Sequence, residues 1–184
     1  MNLRIAKYTL LIFLTTIFSI AISSAETRED SITKLRKVYL GPGLGLNYGG
    51  IGVQLNYMPV KTFRLSAGYG TNLLNMAYSL GINYRILADR RICPTGSYYY
   101  GYNGAIQQDG DKQYNKTFFG SMLGAGIEFW NRKRINFLHL QLLVPIRSFE
   151  FNKSIEAINK IENGEKYNDL PLSISLGFHF GINK

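Results

Sequence analysis

The 184-residue chain contains one cysteine, Cys93, and two histidines. A single cysteine excludes an intramolecular disulfide and any cysteine ligand set, so stability must come from hydrogen bonding and packing. No phosphate loop occurs, nor carboxylates paired at a catalytic spacing, nor a nucleic-acid motif. Acids are scarce, 12 against 21 Lys and Arg. The bases lie mainly in short clusters ("KLRK", "DRR", "NRKR") and at the chain start, not along one stripe. That pattern excludes a nucleic-acid track and implies a solvated or phosphate-facing rim. No helix-length periodicity separates the apolar segments.

The long acid-free apolar run is "YTLLIFLTTIFSIAI", Tyr8–Ile22, preceded by Arg4 and Lys7 and followed by "SSA". Fifteen helical residues fall short of the roughly 20 that cross a bilayer. The small residues Ser23 and Ala25 then mark residues 1–25 as an export signal cleaved after Ala25. No cysteine stands there to carry a lipid. Removing 1–25 takes two bases and no acid, which leaves 159 residues with a charge of +7. Residues 26–37 read as a polar N-terminal segment and 38–184 as one domain.

What is plentiful is Gly (19), Tyr (13) and a two-residue period. Eight segments alternate large apolar with small or polar residues: 38–48, 51–57, 63–70, 77–86, 96–106, 117–130, 135–146 and 172–182. The first places Leu44, Leu46 and Tyr48 on its apolar face; the fifth places Tyr98, Tyr100 and Tyr102 outward. Eight such strands point to an all-β, up-and-down antiparallel closed barrel. The face opposite the apolar one is Gly, Ser, Asn and Gln with a few charges. It would make a poor core for a soluble barrel and suits the polar interior of a small transmembrane one.

The last strand contains Ser175-Leu176-Gly177-Phe178-His179-Phe180-Gly181-Ile182. With the eight alternating strands, it resembles the small eight-stranded outer-membrane barrels of the OmpA/OmpX type. The resemblance covers nearly all of the chain after the signal and is architectural. It implies that Ser175, Gly177, Phe180 and Ile182 are read by the barrel-assembly machinery. The family pattern often ends on an aromatic residue, whereas this chain continues to Lys184. The resemblance also implies an outer-membrane lipid environment, a periplasmic N-terminus and long outer loops, here 107–116 and 147–170. Within the second, Phe151, Ile155 and Ile158 stand at i, i+4, i+7, as in a short helix on the barrel rim.

Arg64, Arg85, Glu128, His139 and His179 all fall on the inward face near the periplasmic end. The expected arrangement is a polar network closing the lumen, with Arg and Glu paired because charges out of water need partners. A metal or acid–base cluster is the sharper alternative, without a motif to support it. Neither catalytic residues nor a cofactor nor a metal is expected, and any partner for the loops is unnamed. Three rivals remain: a lipid A-modifying barrel enzyme, a pore (which side chains filling an eight-stranded interior oppose), and an exported soluble barrel binding a small apolar ligand. Cys93, in "RRICPTG", reads as a lone thiol in a periplasmic turn.

Overall fold

Period-2 alternation forces one set of side chains to each face of a sheet, and closing that sheet turns one set inward. A computed structural model of the chain describes residues 37–106, 116–161 and 171–182. The segments 1–25 and 26–36, residues 107–115 and 162–170, and the last two residues lie outside those described. Eight strands follow in order: β1 (Val38–Gly45), β2 (Gly50–Val60), β3 (Phe63–Thr71), β4 (Met76–Arg85), β5 (Ile92–Ile106), β6 (Lys116–Trp130), β7 (Asn136–Pro145) and β8 (Ser173–Gly181). Each pairs antiparallel with the next, and β8 closes on β1 through pairs such as Leu40 with Phe180 and Gly43 with Gly177. The expected closed eight-stranded up-and-down barrel is the observed architecture. Strand lengths of 8 to 15 residues embrace the roughly 9–11 that cross a hydrocarbon layer when tilted.

The polarity of this barrel is inverted relative to a soluble one. Leu55, Leu80, Leu123, Leu140, Val144 and Leu176 point outward and are exposed, as are Tyr57, Tyr69, Tyr78 and Tyr84. Arg64, Arg85, Glu128, His139 and His179 point inward and are no more than 1% exposed. The strand count and most of the face assignments follow the alternation.

Three local readings are corrected. β1 stops at Gly45, and Leu46–Tyr48 form a single 3-10 turn that folds into the lumen. Tyr48 is therefore an interior residue and not part of the outer face. Gly45 (φ 128°) and Gly49 (φ 74°) bracket that turn in the left-handed half of backbone space, where other residues are strained. Second, β5 begins at Ile92, so Cys93 is a buried strand residue paired with Glu128 and not a turn residue. Third, the interior is not uniformly small and polar. Tyr39, Tyr99, Met122, Trp130, Phe137 and Leu143 all point inward and are buried.

Helix α1 (Phe149–Ile161) follows β7 at the end of the barrel opposite the termini. Its Phe151 ring meets Phe118 edge-on at 5.0 Å, with Ile155 packed against the pair. The Ile158 side chain lies outside the described residues.

Candidate functional site: the lumen

Three layers of side chains occupy the barrel interior. At the termini end, Tyr39, Met58, Cys93, Trp130 and Phe137 form a buried apolar floor. Trp130 stacks on Phe137 at 4.5 Å, and Tyr39 meets both rings edge-on.

Directly above lies the charged layer. β6 places Glu128 inward, and β3 and β4 aim Arg64 and Arg85 at it. Arg64 Nη1 donates to Glu128 Oε1 at 2.5 Å, and Arg85 Nε donates to Oε2 at 2.8 Å. Trp130 Nε1 adds a third donor to Oε2 at 2.8 Å. One carboxylate thus serves two guanidinium groups, leaving a surplus positive charge. Carbonyl oxygens and ring faces spread that charge. Arg85 Nη1 donates to the Lys61 carbonyl at 2.6 Å, and the group lies 4.7 Å from the Trp130 ring centroid. Arg64 lies 5.0 Å from the Phe137 centroid. Guanidinium against an aromatic face is attractive because of the ring quadrupole, more so when desolvated.

Both histidines belong to this interior, in different settings. Arg64 Nη2 donates to His139 Nδ1 at 3.1 Å, and His139 Nε2 meets Thr95 Oγ1 at 3.1 Å. The Asn56 amide reaches His179 Nδ1 at 3.0 Å, and His179 Nε2 meets the Tyr48 hydroxyl at 2.7 Å. Guanidinium and amide N–H groups only donate, so each ring accepts at Nδ1 and presents its N–H at Nε2. The lone pair a general base would use is already engaged in both rings. Arg64, Arg85, Glu128 and His139 thus form one bonded group. His179 bonds to Tyr48 and Asn56 and stacks at 4.5 Å on Phe137, the ring that also carries Arg64.

The middle layer is built on the inward turn. Asn47 receives hydrogen bonds at its side-chain oxygen from Ser175 and at its carbonyl from Ser79 and Gln54. It donates to Gln141 Oε1 at 2.9 Å. Tyr99 donates to Asn83 Oδ1 at 2.9 Å, and Gln141 Nε2 donates to Ser97 Oγ at 3.0 Å. Asn47 therefore ties β2, β4, β7 and β8 together through one residue. Period-2 alternation turns both Asn47 and Tyr99 inward, but it does not show the turn that carries Asn47 into the lumen. Asn47 sits in a turn, and Tyr99 hides between two outward tyrosines. The turn signal was present in the "GLNYGG" glycines.

The four residues of the terminal pattern separate by face. Ser175 and Gly177 are buried inward, whereas Phe180 and Ile182 are exposed outward. Gly177 lies beneath the Tyr48 ring. A Cβ there would run into the Tyr48 hydroxyl and its ring carbons, and Gly43 faces the same ring from β1. Among the described residues no three of His, Cys, Asp and Glu come together as a ligand set.

At the termini end the turns are strongly basic. Lys61 donates to Asp89 at 2.9 Å, and this hydrogen bond holds the Asp89 carboxyl below its ordinary value. Arg134 bonds the Ala88 carbonyl at 3.2 Å. Its partial burial lowers its guanidinium pKa, and the neighbouring Arg85 and Arg91 charges act in the same direction against the opposing pull of Asp89.

No family model and no curated protein matches the chain. Among solved structures it is similar to the N-terminal β-barrel domain of Pseudomonas aeruginosa OprF, at 14% identity and a TM-score of 0.46. That alignment covers 79% of this chain and 98% of the OprF domain. It is also similar to Acinetobacter baumannii CarO2, at 15% identity and a TM-score of 0.43, over 80% of this chain and 99% of that one. Neither likeness assigns a role to any residue here.

Proposed function

We propose that the chain is an integral outer-membrane barrel of a Gram-negative envelope whose lumen is closed, and that it serves as a structural or loop-presenting protein. The observation that carries this reading is the inverted polarity. Leucine, isoleucine, valine and aromatic rings cover the outside, while Glu128 and its two arginines sit within. In water that exterior would be an apolar patch far larger than soluble monomers tolerate. In a bilayer it is the required surface, and closure leaves no strand edge exposed in hydrocarbon.

The floor of aromatic rings, the arginine–glutamate layer and Phe151 on Phe118 all support closure to solutes. An eight-stranded barrel has an interior that side chains can fill. The lipid A-modifying alternative needs a histidine held between a serine and a supporting acid within reach of the outer leaflet, whereas His139 and His179 bond to Arg64, Thr95, Asn56 and Tyr48. The exported soluble barrel is disfavoured by the same apolar exterior.

Heat-modifiable migration of the chain in the membrane fraction tests the fold and location together. A folded band that converts to a slower or faster one on boiling is expected; a single unshifted band, or recovery in the soluble fraction, overturns the reading. Mass spectrometry of lipid A from cells with and without the protein tests the enzymatic rival. Identical acyl patterns are expected, and any acyl difference would reinstate it.

A further inference from the structure

The turns joining β2 to β3, β4 to β5 and β6 to β7 emerge at the termini end of the barrel. Together they hold Lys61, Arg90, Arg91, Arg132, Lys133 and Arg134 against one acid, Asp89. That acid is engaged by Lys61. Arg91, Arg132 and Lys133 are exposed. The connections at the opposite end have the contrary balance, with seven acids and five bases over residues 107–115 and 146–172. Among the strand connections, the net positive charge therefore lies in the three turns at the termini end.

What adjoins this basic rim decides what it can meet. Immediately up the strands lie outward-facing Val60, Ile86, Ile92 and Phe129, with the Tyr57 and Tyr84 rings among them. Tyrosine with an apolar body and a polar tip favours the boundary between hydrocarbon and water. The cations thus follow directly on the last row of the apolar band, at the level where headgroup phosphates would lie. Arginine and lysine at that level attract anionic lipid with about a five-fold preference per residue. The partial burial of Arg134 and the mutual repulsion of the clustered cations add to the demand for a counter-anion.

We infer that the three basic turns form a binding collar for anionic phospholipid headgroups in the leaflet on the termini side. The collar rests on the membrane reading above and deepens it. It names the phosphodiester headgroup as ligand and Arg91, Arg132 and Lys133 as the exposed contacts. With the termini in the periplasm, the collar would meet the phospholipid leaflet and fix the barrel's height in it.

The test uses the purified full chain inserted into vesicles of phosphatidylcholine, alone or with phosphatidylglycerol. Lipids retained on the released barrel are counted by native mass spectrometry. Wild type should retain phosphatidylglycerol about five-fold or more above its bulk share. The enrichment should fall toward one in the Arg91→Gln, Arg132→Gln, Lys133→Gln triple variant and at high salt, while Lys153→Gln at the opposite mouth leaves it unchanged. Heat-modifiable migration of each variant in pure phosphatidylcholine confirms that it is folded. Equal enrichment in wild type and triple variant, both folded, overturns the collar. Loss of the enrichment to soluble glycerol phosphate also overturns it, because the site would then be one for free phosphate. Failure of wild type to insert into either vesicle overturns the membrane reading, and the collar with it.

Discussion

Glu128 is fully buried and receives three donors, so its loss should be strongly felt. Removing one partner of a buried ion pair leaves the other charge uncompensated, at a cost of about 3–5 kcal/mol. Glu128→Gln strands two arginines, so a loss at the upper end of that range is expected, read as a lower thermal unfolding midpoint in detergent. An unchanged profile would show that the layer contributes no stability. Asp89 behaves differently, because its side chain is 75% exposed. The Lys61 bond lowers its folded pKa. The stabilisation is therefore present above the ordinary carboxylate value of 3.8 and disappears as pH falls through the lowered folded value. Solvent screening limits it to a few tenths of a kcal/mol. Wild type and Asp89→Asn should differ slightly near neutrality and converge in strong acid, as measured by unfolding at a series of pH values.

At the scale of the element, the turn at Leu46–Tyr48 and strand β8 depend on each other. Gly177→Ala should destabilise the barrel, because the new Cβ strikes the Tyr48 ring. In a Tyr48→Ala background the same substitution should be nearly neutral, a non-additivity expected of residues in contact. This cycle separates two reasons for the glycine. If Gly177 serves only as part of an assembly signal, insertion yield stays low in the double variant even though the clash is gone. Phe151→Ala should release α1 from the mouth. Buried phenylalanine truncations cost about 3–5 kcal/mol, and here the loss would be local, seen as faster proteolysis within 149–161.

Much of these elements was legible in the residues. Period-2 alternation located eight strands and turned Glu128, His139 and His179 inward, because a pleat leaves only two sides to choose from. It turned Asn47 inward but placed Tyr48 outward, since positive φ at the flanking glycines takes the chain off the strand path. It did not read Cys93 as buried. The proline after it reads as a turn, yet Pro94 keeps a working acceptor and takes a 2.9 Å bond from the Ile86 amide. Which arginine would reach which acid was likewise hidden, because strand register sets heights around the barrel and no local pattern encodes it.

For the barrel as a whole, the proposed function predicts closure to solutes. Planar-bilayer recordings should show no large, stable openings. The Phe151→Ala barrel should remain closed too, because the ring floor and the charged layer lie at the far end from α1. Large steady conductance in wild type would contradict closure, and conductance in the variant alone would locate the seal at α1. The three basic turns should make the termini end the one that favours anions. Insertion from one side of a vesicle should consequently depend on the lipid charge of that leaflet.

The chain has one tryptophan, and Trp130 spends it inside the barrel, bonded to Glu128 and lying against Arg85 and Phe137. Intrinsic fluorescence is therefore an optical gauge of the lumen. Brominated acyl chains should quench it weakly, because the indole is buried inside the barrel. Its emission should shift when the carboxylate beside it is changed and stay steady when the bilayer is thinned or thickened.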